Sequence, residues 1–143
     1  MREVLKRIEY IEKIRPFFDS DIIKVITGIR RSGKSKLLDM IIDEVKVNGV
    51  DDNHIIKINL EDRRNSELRD PDNLLHHIDS LLVDDQMYYI LLDEVQMVRE
   101  FEDVLNSYLS VKNADVYVTG SNAKFLSKDI ITEFRGRGWG IHV

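Results

Sequence analysis

The sequence predicts a three-layer α/β/α fold with a mainly parallel sheet. Short β-rich runs alternate strictly with amphipathic helical periods, and the third β-rich run is apolar throughout, as a strand covered on both faces is. Such alternation predicts right-handed crossovers and places a ligand at the carboxyl ends of the strands. No internal repeat, low-complexity tract or linker divides the chain, so we expect residues 1–143 to form one unit.

The composition is that of a globular domain. With 43% apolar and 33% charged residues, the chain can bury an ordinary core, and the absence of cysteine excludes disulfide scaffolds and thiolate metal sites. The longest apolar run, residues 87–92, is too short to cross a bilayer, and the first ten residues lack a signal peptide's hydrophobic stretch. We therefore expect a cytoplasmic protein without a membrane partner. A net charge of −5 argues against nonspecific nucleic-acid binding but leaves room for one basic site, at residues 30–36.

The strands are predicted from their short β-rich runs, and a lead-in helix is expected over residues 1–20. The four strands span residues 22–27, 55–60, 87–92 and 115–119. The sequence continues to residues 139–143, where we expect it to end inside a fifth strand.

Three helices are predicted between the strands. The first ends at Asn48-Gly49, where the glycine supplies the stop, and the second begins with Asp70 as N-cap and Pro71 in the first turn. Each helix carries an apolar stripe. The stripes are Leu37, Leu38, Ile41, Ile42 and Val45 in the first, Leu74, Leu75, Ile78, Leu81 and Leu82 in the second, and Phe101, Val104, Leu105, Tyr108 and Val111 in the third.

A phosphate-binding loop is predicted directly after the first strand. Residues 28–35 read GIRRSGKS, the pattern of Gly, four residues and Gly-Lys-Ser, also called Walker A. Its glycines let consecutive N–H groups point inward, where the amino end of the next helix also favours an anion. Lys34 would reach the β- and γ-phosphates of ATP, and the Ser35 hydroxyl would be a ligand of Mg²⁺. The predicted nucleotide contacts are Gly28, Ile29, Arg30, Arg31, Ser32, Gly33, Lys34, Ser35 and Lys36.

Two points within this loop have alternatives. The pattern could be a glycine turn that caps a helix, but its place between a β-rich run and an apolar-periodic helix is the one that phosphate binding requires. Arg30 could add charge to the triphosphate or to a neighbouring subunit. Alternatively, Arg30 and Arg31 are solvated side chains beside a negatively charged ligand.

Two carboxylates are predicted to complete the site. The run YYILLDEVQ, residues 88–96, places Asp93 and Glu94 at the end of the apolar strand, as a Walker B segment does. Acids there are costly unless they face a cation or water. Asp93 would hold Mg²⁺, usually through a water, and Glu94 would orient and polarise the attacking water. The alternative is an acidic cap on the following helix.

The same segment distinguishes classes of nucleotide enzyme. DEVQ lacks the Asp-x-x-Gly of a GTPase, and Glu94 directly after Asp93 favours hydrolysis over phosphoryl transfer to a small acceptor. DEVQ also resembles the DExQ box of some helicases, in which case Gln96 would couple hydrolysis to a nucleic acid. The alternative for Gln96 is a surface residue on a loop.

These motifs together resemble the prokaryotic AAA-like ATPases of the additional-strand, catalytic-glutamate division, in the group with a C-terminal winged helix and a nuclease-like domain. The segments that carry the resemblance are RIEYIEKIRPFF, VITGIRRSGKS, IIKINLED, YYILLDEVQ, VYVTGSNAKFLS and FRGRGWGIHV. The resemblance implies a P-loop NTPase fold whose sensor strand lies between the phosphate-loop strand and the Walker B strand. It also implies that residues 1–143 are the ATPase core and that the C-terminal domain is missing.

The resemblance further implies polar contacts near the γ-phosphate. Residues 119–122, TGSN, look like sensor 1, with Ser121 and Asn122 both candidates for the γ-phosphate or the attacking water; the alternative is a turn. Asn59 is placed like the residue that holds the catalytic glutamate in some relatives until a partner binds. The alternative for Asn59 is a hydrogen-bonded strand end.

An arginine of FRGRGWG is implied to act as a finger or sensor. Arg135 and Arg137 are both candidates, in cis or from a neighbouring copy, because arginine stabilises the charge on the transferring phosphoryl oxygens. The alternative is surface arginines in a glycine turn. The predicted catalytic set is thus Glu94, Lys34, Asn122 and Arg137.

These residues favour hydrolysis of Mg-ATP to ADP as the function. The hydrolysis would drive conformational change in a larger protein or assembly. The alternative is a nucleotide-gated DNA- or protein-binding module with little turnover. Expected partners are the missing C-terminal domain, a second copy that supplies an arginine finger, and DNA through the missing region. A small-molecule kinase is disfavoured by Glu94.

Overall fold

The computed structural model of the chain describes residues 23–27, 31–120 and 138–142. Side chains are described for residues 23–26 and 35–120. The predicted lead-in helix over residues 1–20 lies outside these ranges. Within them, no helix is long and apolar enough to cross a membrane.

Strands and helices alternate along the described residues, as the sequence predicts. The elements in chain order are β1 (Ile23–Thr27), α1 (Arg31–Val47), β2 (Ile55–Asn59), α2 (Pro71–Leu81), β3 (Tyr88–Asp93), α3 (Phe101–Tyr108), β4 (Ala114–Gly120) and β5 (Gly138–His142). The first four strands differ from their predicted bounds by one residue, at one end in β1 and β2 and at both ends in β3 and β4. Short 3-10 segments at Asp52–His54, Arg63–Arg69 and Val95–Met97 lie between them.

All pairings of the five described strands are parallel, in the order β2-β3-β4-β1-β5. The predicted α/β fold with a parallel sheet is therefore confirmed. β4 lies between β1 and β3, which is the place that the family resemblance implies for the sensor strand. Consequently the carboxyl ends of β1, β3 and β4 lie next to one another at one edge of the sheet, which we call the carboxyl edge.

The sheet separates two apolar cores, so the fold has three layers. Helix α1 covers one face, on which Leu38 and Ile41 pack with Tyr89, Leu91 and Tyr117 of the strands. Helices α2 and α3 cover the other face. The buried helical residues of that second core are Leu74, Ile78, Phe101, Val104, Leu105 and Tyr108. Because β3 and β4 alternate between these cores, every residue of both strands is buried.

Local signals begin and end the helices as predicted, with two exceptions. Gly49 follows α1 with φ of 94°, the left-handed conformation that glycine adopts without strain. The Asp70 carboxylate accepts a hydrogen bond from the Asn73 N–H and caps α2. Leu82 and Val111, which belong to the predicted stripes, lie beyond the ends of α2 and α3, although both pack against the core. Leu81, on the predicted apolar side of α2, lies in the last turn and is 39% exposed.

Candidate functional site

Part of the predicted site lies within the described side chains. Those within are Ser35, Lys36, Asn59, Asp93, Glu94 and Gln96. The backbone of Arg31, Ser32, Gly33 and Lys34 belongs to the first turn of α1, which follows β1 as a phosphate loop requires. Outside the description lie Gly28, Ile29, Arg30, Ser121, Asn122, Arg135 and Arg137.

The two predicted magnesium ligands contact each other at the carboxyl edge. The Ser35 Oγ donates a hydrogen bond to Asp93 Oδ2 at 2.6 Å. Asp93 is the last residue of β3 and is 3% exposed, whereas Ser35 lies on α1, 58 residues away in the sequence. The alternation of strands and helices has therefore brought a hydroxyl and a carboxylate together where a ligand is expected to bind.

Thr119 on β4 holds the other side of Asp93. Its Oγ1 donates to Asp93 Oδ1 at 2.5 Å and accepts a hydrogen bond from the Glu94 N–H at 2.9 Å. Thr119 is fully buried. Sequence reasoning placed residue 119 only at the start of the sensor-like segment and missed this contact. The available signal was a polar residue at the end of a strand expected to lie beside the Walker B strand.

Glu94 follows β3 in a left-handed conformation. Its φ and ψ are 58° and 53°, which is unusual for a residue with a side chain, and its side chain is 4% exposed. The Met97 N–H donates to the Glu94 carbonyl at 3.1 Å and closes the 3-10 turn that follows. This turn is too short to be a helix capped by Glu94, and no side-chain cap hydrogen bond forms there.

Gln96 contacts Glu94 directly. Its Nε2 donates to Glu94 Oε2 at 2.5 Å, and its buried Oε1 has no hydrogen-bond partner among the described residues. The interpretation of Gln96 as a surface loop residue is therefore wrong, because the amide is turned inward onto a carboxylate.

The hydrogen bonds of Asn59 belong to a strand end. Its Oδ1 accepts from the Glu61 N–H at 3.1 Å, and its carbonyl accepts from Asn65 Nδ2 at 2.8 Å. Asn59 pairs in register with Asp93, but the side chain is exposed. The described hydrogen bonds of Asn59 thus do not reach Glu94, whereas the Gln96 amide contacts the Glu94 carboxylate.

Two arginines form hydrogen bonds between the loops that follow β2 and β3. Arg69 donates to the carbonyls of Leu60 at 2.9 Å and Glu61 at 3.0 Å, and its own carbonyl accepts from the Arg99 N–H at 3.0 Å. Arg99 also donates to Asp70 Oδ1 at 2.6 Å. These contacts fix the loop that carries Glu94 and Gln96 against its neighbour.

The donor set at this edge fits Mg²⁺ held jointly with a phosphate. Ser35 and Asp93 offer hard oxygen atoms, which Mg²⁺ prefers. Among the described residues no group of three or more His, Cys, Asp or Glu side chains could hold a metal ion. Mg²⁺ bound here would therefore need waters and substrate oxygens to complete its six ligands, as it does in many phosphoryl-transfer sites.

Two relatives share substantial sequence identity with the chain. An uncharacterized protein of Haemophilus influenzae is 33% identical over 137 residues, which are 95% of this chain and 34% of that protein. An uncharacterized protein of Methanocaldococcus jannaschii is 36% identical over 117 residues, or 80% of this chain and 24% of that protein. The chain thus spans about a third of one relative and about a quarter of the other.

Solved structures with the same fold include proteins of low sequence identity. Drosophila ORC bound to GC-rich DNA and Cdc6 gives a TM-score of 0.63 at 12% identity, covering 99% of this chain and 56% of that chain. C. elegans PCH-2 gives 0.60 at 16% identity, with 99% and 42% covered. Residues 20–143 match the family described as AAA domain. Since this match covers most of the chain, the chain belongs to the AAA domain family.

Proposed function

We propose that the chain binds Mg-ATP and hydrolyses the bond to its γ-phosphate. The observation that carries this proposal is the contact between Ser35 Oγ and Asp93 Oδ2, which joins the phosphate-loop helix to the end of the apolar strand. Membership of the AAA domain family supports nucleotide binding. The adjacent, buried Glu94 supports hydrolysis, since a carboxylate beside a phosphate site can take a proton from water.

The phosphates would bind to the loop between β1 and α1. The backbone N–H groups there and the amino end of α1 favour an anion, and Lys34 would add a positive charge. Ser35 and Asp93 would hold Mg²⁺, which neutralises charge on the phosphate oxygens when bound. The full set proposed for the nucleotide is Gly28, Ile29, Arg30, Arg31, Ser32, Gly33, Lys34, Ser35, Lys36 and Ser121.

Glu94 would orient the attacking water and accept its proton. The left-handed backbone and the hydrogen bond from Gln96 both restrict where its carboxylate can lie. Asn122 and Arg137 are proposed to stabilise the reacting phosphoryl oxygens, and Arg135 remains the alternative to Arg137. Charge stabilisation and positioning account for most of the catalysis in phosphoryl transfer. Each of these groups would therefore lower the activation barrier by positioning a reactant or by stabilising charge.

We propose that hydrolysis drives a conformational change in parts of a larger protein or assembly that lie outside residues 1–143. The relatives extend well beyond the matched region, which supports a role as the ATPase core of a longer protein. Further domains, a second copy that supplies an arginine finger, and DNA are the proposed partners. The Drosophila ORC structures contain DNA, but their similarity at 12–13% identity concerns the fold alone.

Two substitutions test the proposal because they should fail at different steps. Lys34→Ala should abolish ATP binding, measured by isothermal titration calorimetry. Glu94→Gln should retain ATP binding but lose phosphate release, since the amide cannot accept a proton. Lys46→Ala at the end of α1 and Glu67→Gln on an exposed segment are matched controls that should behave like the wild type.

The outcomes separate the functions. Full phosphate release by Glu94→Gln would contradict its assignment as the base. ATP binding without turnover in the wild type would indicate the nucleotide-gated binding module instead. Unchanged ATP affinity in Lys34→Ala would contradict the phosphate site itself.

A further inference from the structure

Resting on the proposed function, we infer that Thr119 is a positioning residue for Mg²⁺ binding. It orients the side chain of Asp93 and the backbone of Glu94. The Thr119 hydroxyl touches both acidic residues, one through a side chain and the other through its backbone. It carries one proton and two lone pairs. The Glu94 N–H can only donate, so the hydroxyl proton is directed to Asp93 Oδ1.

This arrangement fixes the orientation of the Asp93 carboxylate. Because Oδ1 accepts from Thr119 at 2.5 Å, the carboxylate is oriented with Oδ2 toward Ser35, 2.6 Å away. The two hydroxyls thus hold the carboxylate from opposite sides. Rotation of the Asp93 carboxylate out of this orientation would break both hydrogen bonds. Thr119 therefore fixes the direction in which the other carboxylate oxygen would face the metal ion.

The same hydroxyl replaces a backbone acceptor at the point where the strand pairing stops. The described register between β3 and β4 ends at Leu92 and Val118. Glu94 then turns into the left-handed region, and its N–H finds Thr119 Oγ1 instead. Without this acceptor, a buried N–H would be left unsatisfied at a strained residue. Thr119 therefore also stabilises the turn that orients the proposed base.

Thr119 connects this pair to the phosphate-loop strand. Its backbone lies in register with Ile26 of β1, two residues before the predicted phosphate loop begins. One fully buried residue thus links β1, Asp93 and Glu94. Loss of the hydroxyl should loosen the metal-binding geometry while leaving the phosphate loop itself unchanged.

The test compares the ATP affinity of the full chain with Mg²⁺ and in EDTA, by isothermal titration calorimetry. The ratio of the two affinities measures the coupling between metal and nucleotide. Thr119→Val should lower this ratio about tenfold, the loss expected for a hydrogen bond to a charged group, with little change in EDTA. Thr119→Ser retains the hydroxyl and should keep the ratio within about twofold of the wild type.

A second comparison keeps the inference testable if a variant misfolds. If the valine variant does not fold, Thr119→Ala can be compared with Thr119→Ser, because these differ by the hydroxyl alone. In an Asp93→Ala background, removal of the Thr119 hydroxyl should lower the ratio no further, since its effect on the metal acts through Asp93.

Two results would overturn the inference. The first is an unchanged ratio in Thr119→Val; if both affinities also fall by the same factor, the role of Thr119 is purely structural. The second is an equal loss of the ratio in the serine and valine variants. A wild-type chain whose ATP affinity does not respond to Mg²⁺ would instead overturn the proposed function, and the inference with it.

Discussion

Two buried polar clusters lie on the same face of β4, one toward each end. Near the amino end, Lys24 forms an ion pair with Asp115, and Tyr117 donates to Asp115 Oδ2 at 2.8 Å. The Lys24 Nζ also lies 4.9 Å from the centre of the Tyr117 ring. At the carboxyl end, Asp93 accepts hydrogen bonds from the hydroxyls of Ser35 and Thr119.

The clusters differ in how their charge is balanced. Lys24 and Asp115 are both fully buried, so a cation and an anion of the protein compensate each other. Asp93 is nearly as buried, but its described hydrogen bonds come from neutral hydroxyls, and it forms no ion pair with the described residues. The first arrangement is sufficient for folding alone. The second is the one expected where a bound cation supplies the balance.

The largest effect on stability is expected from Lys24→Met. The substitution leaves the buried Asp115 carboxylate without its cation and should lower the free energy of unfolding by about 3–5 kcal/mol. Urea denaturation followed by circular dichroism measures this. The double variant Lys24→Met/Asp115→Asn removes the charge while an amide oxygen still accepts from Tyr117, so it should recover part of the loss. A double variant no more stable than the single one would contradict charge balance as the reason for the pairing.

A smaller effect, dependent on ligand, is expected from Asp93→Asn. Without nucleotide, the change should alter stability by less than about 1 kcal/mol, because the asparagine oxygen can still accept from Thr119. With Mg-ATP at about 100 times its Kd, the wild type should gain about 2.7 kcal/mol by mass action. The variant, whose Kd for Mg-ATP is raised, should gain less at the same concentration. Thermal melts with Mg-ATP, with ATP in EDTA and without nucleotide measure the difference.

Two outcomes would contradict the difference between Asp93 and Asp115. A variant that loses as much stability as Lys24→Met without ligand would assign Asp93 a structural role like that of Asp115. Equal stabilisation of the variant and the wild type by Mg-ATP would contradict the metal role of Asp93.

The sequence predicted the fold because its signals are periodic and local. Alternation gave the elements of the three layers, and capping residues such as Asp70 and Gly49 gave helix ends. The position of β4 between β1 and β3 came from the resemblance, since alternation by itself does not order strands. Leu81 lies in α2 but is 39% exposed, because the apolar period of the helix continues past the last turn that the core covers.

The site was predictable where a motif has a fixed spacing and not where a contact joins distant residues. Ser35 and Asp93 were found through the phosphate loop and DEVQ, and they meet in the structure. Thr119 and the inward amide of Gln96 were missed, since their partners depend on strand order and on the left-handed turn at Glu94. Neither feature has a residue pattern of its own.

A contact between α2 and α3, on the opposite face of the sheet, is expected to contribute least to stability. Tyr108 on α3 donates to Asp79 Oδ1 on α2 at 2.9 Å, and the exposed Asp79 forms no ion pair with the described side chains. Tyr108→Phe should therefore cost only about 1 kcal/mol at neutral pH. Burial, then the hydrogen bond to Asp79 and its charge, raise the pKa of Tyr108 above its ordinary value of 10.0.

The direction of that shift gives the cost a pH dependence. In the unfolded chain Tyr108 loses its proton near pH 10.0, whereas the folded state retains it, so the wild type loses stability as the pH rises above 10.0. Phenylalanine has no proton to lose, and the difference between the two proteins should narrow and then reverse in the alkaline range. Urea denaturation of both proteins between pH 7 and about pH 11 measures this difference, in which the other tyrosines and lysines cancel. A difference that stays constant with pH would show that Tyr108 ionises equally in both states, and that the Asp79 contact contributes nothing through charge.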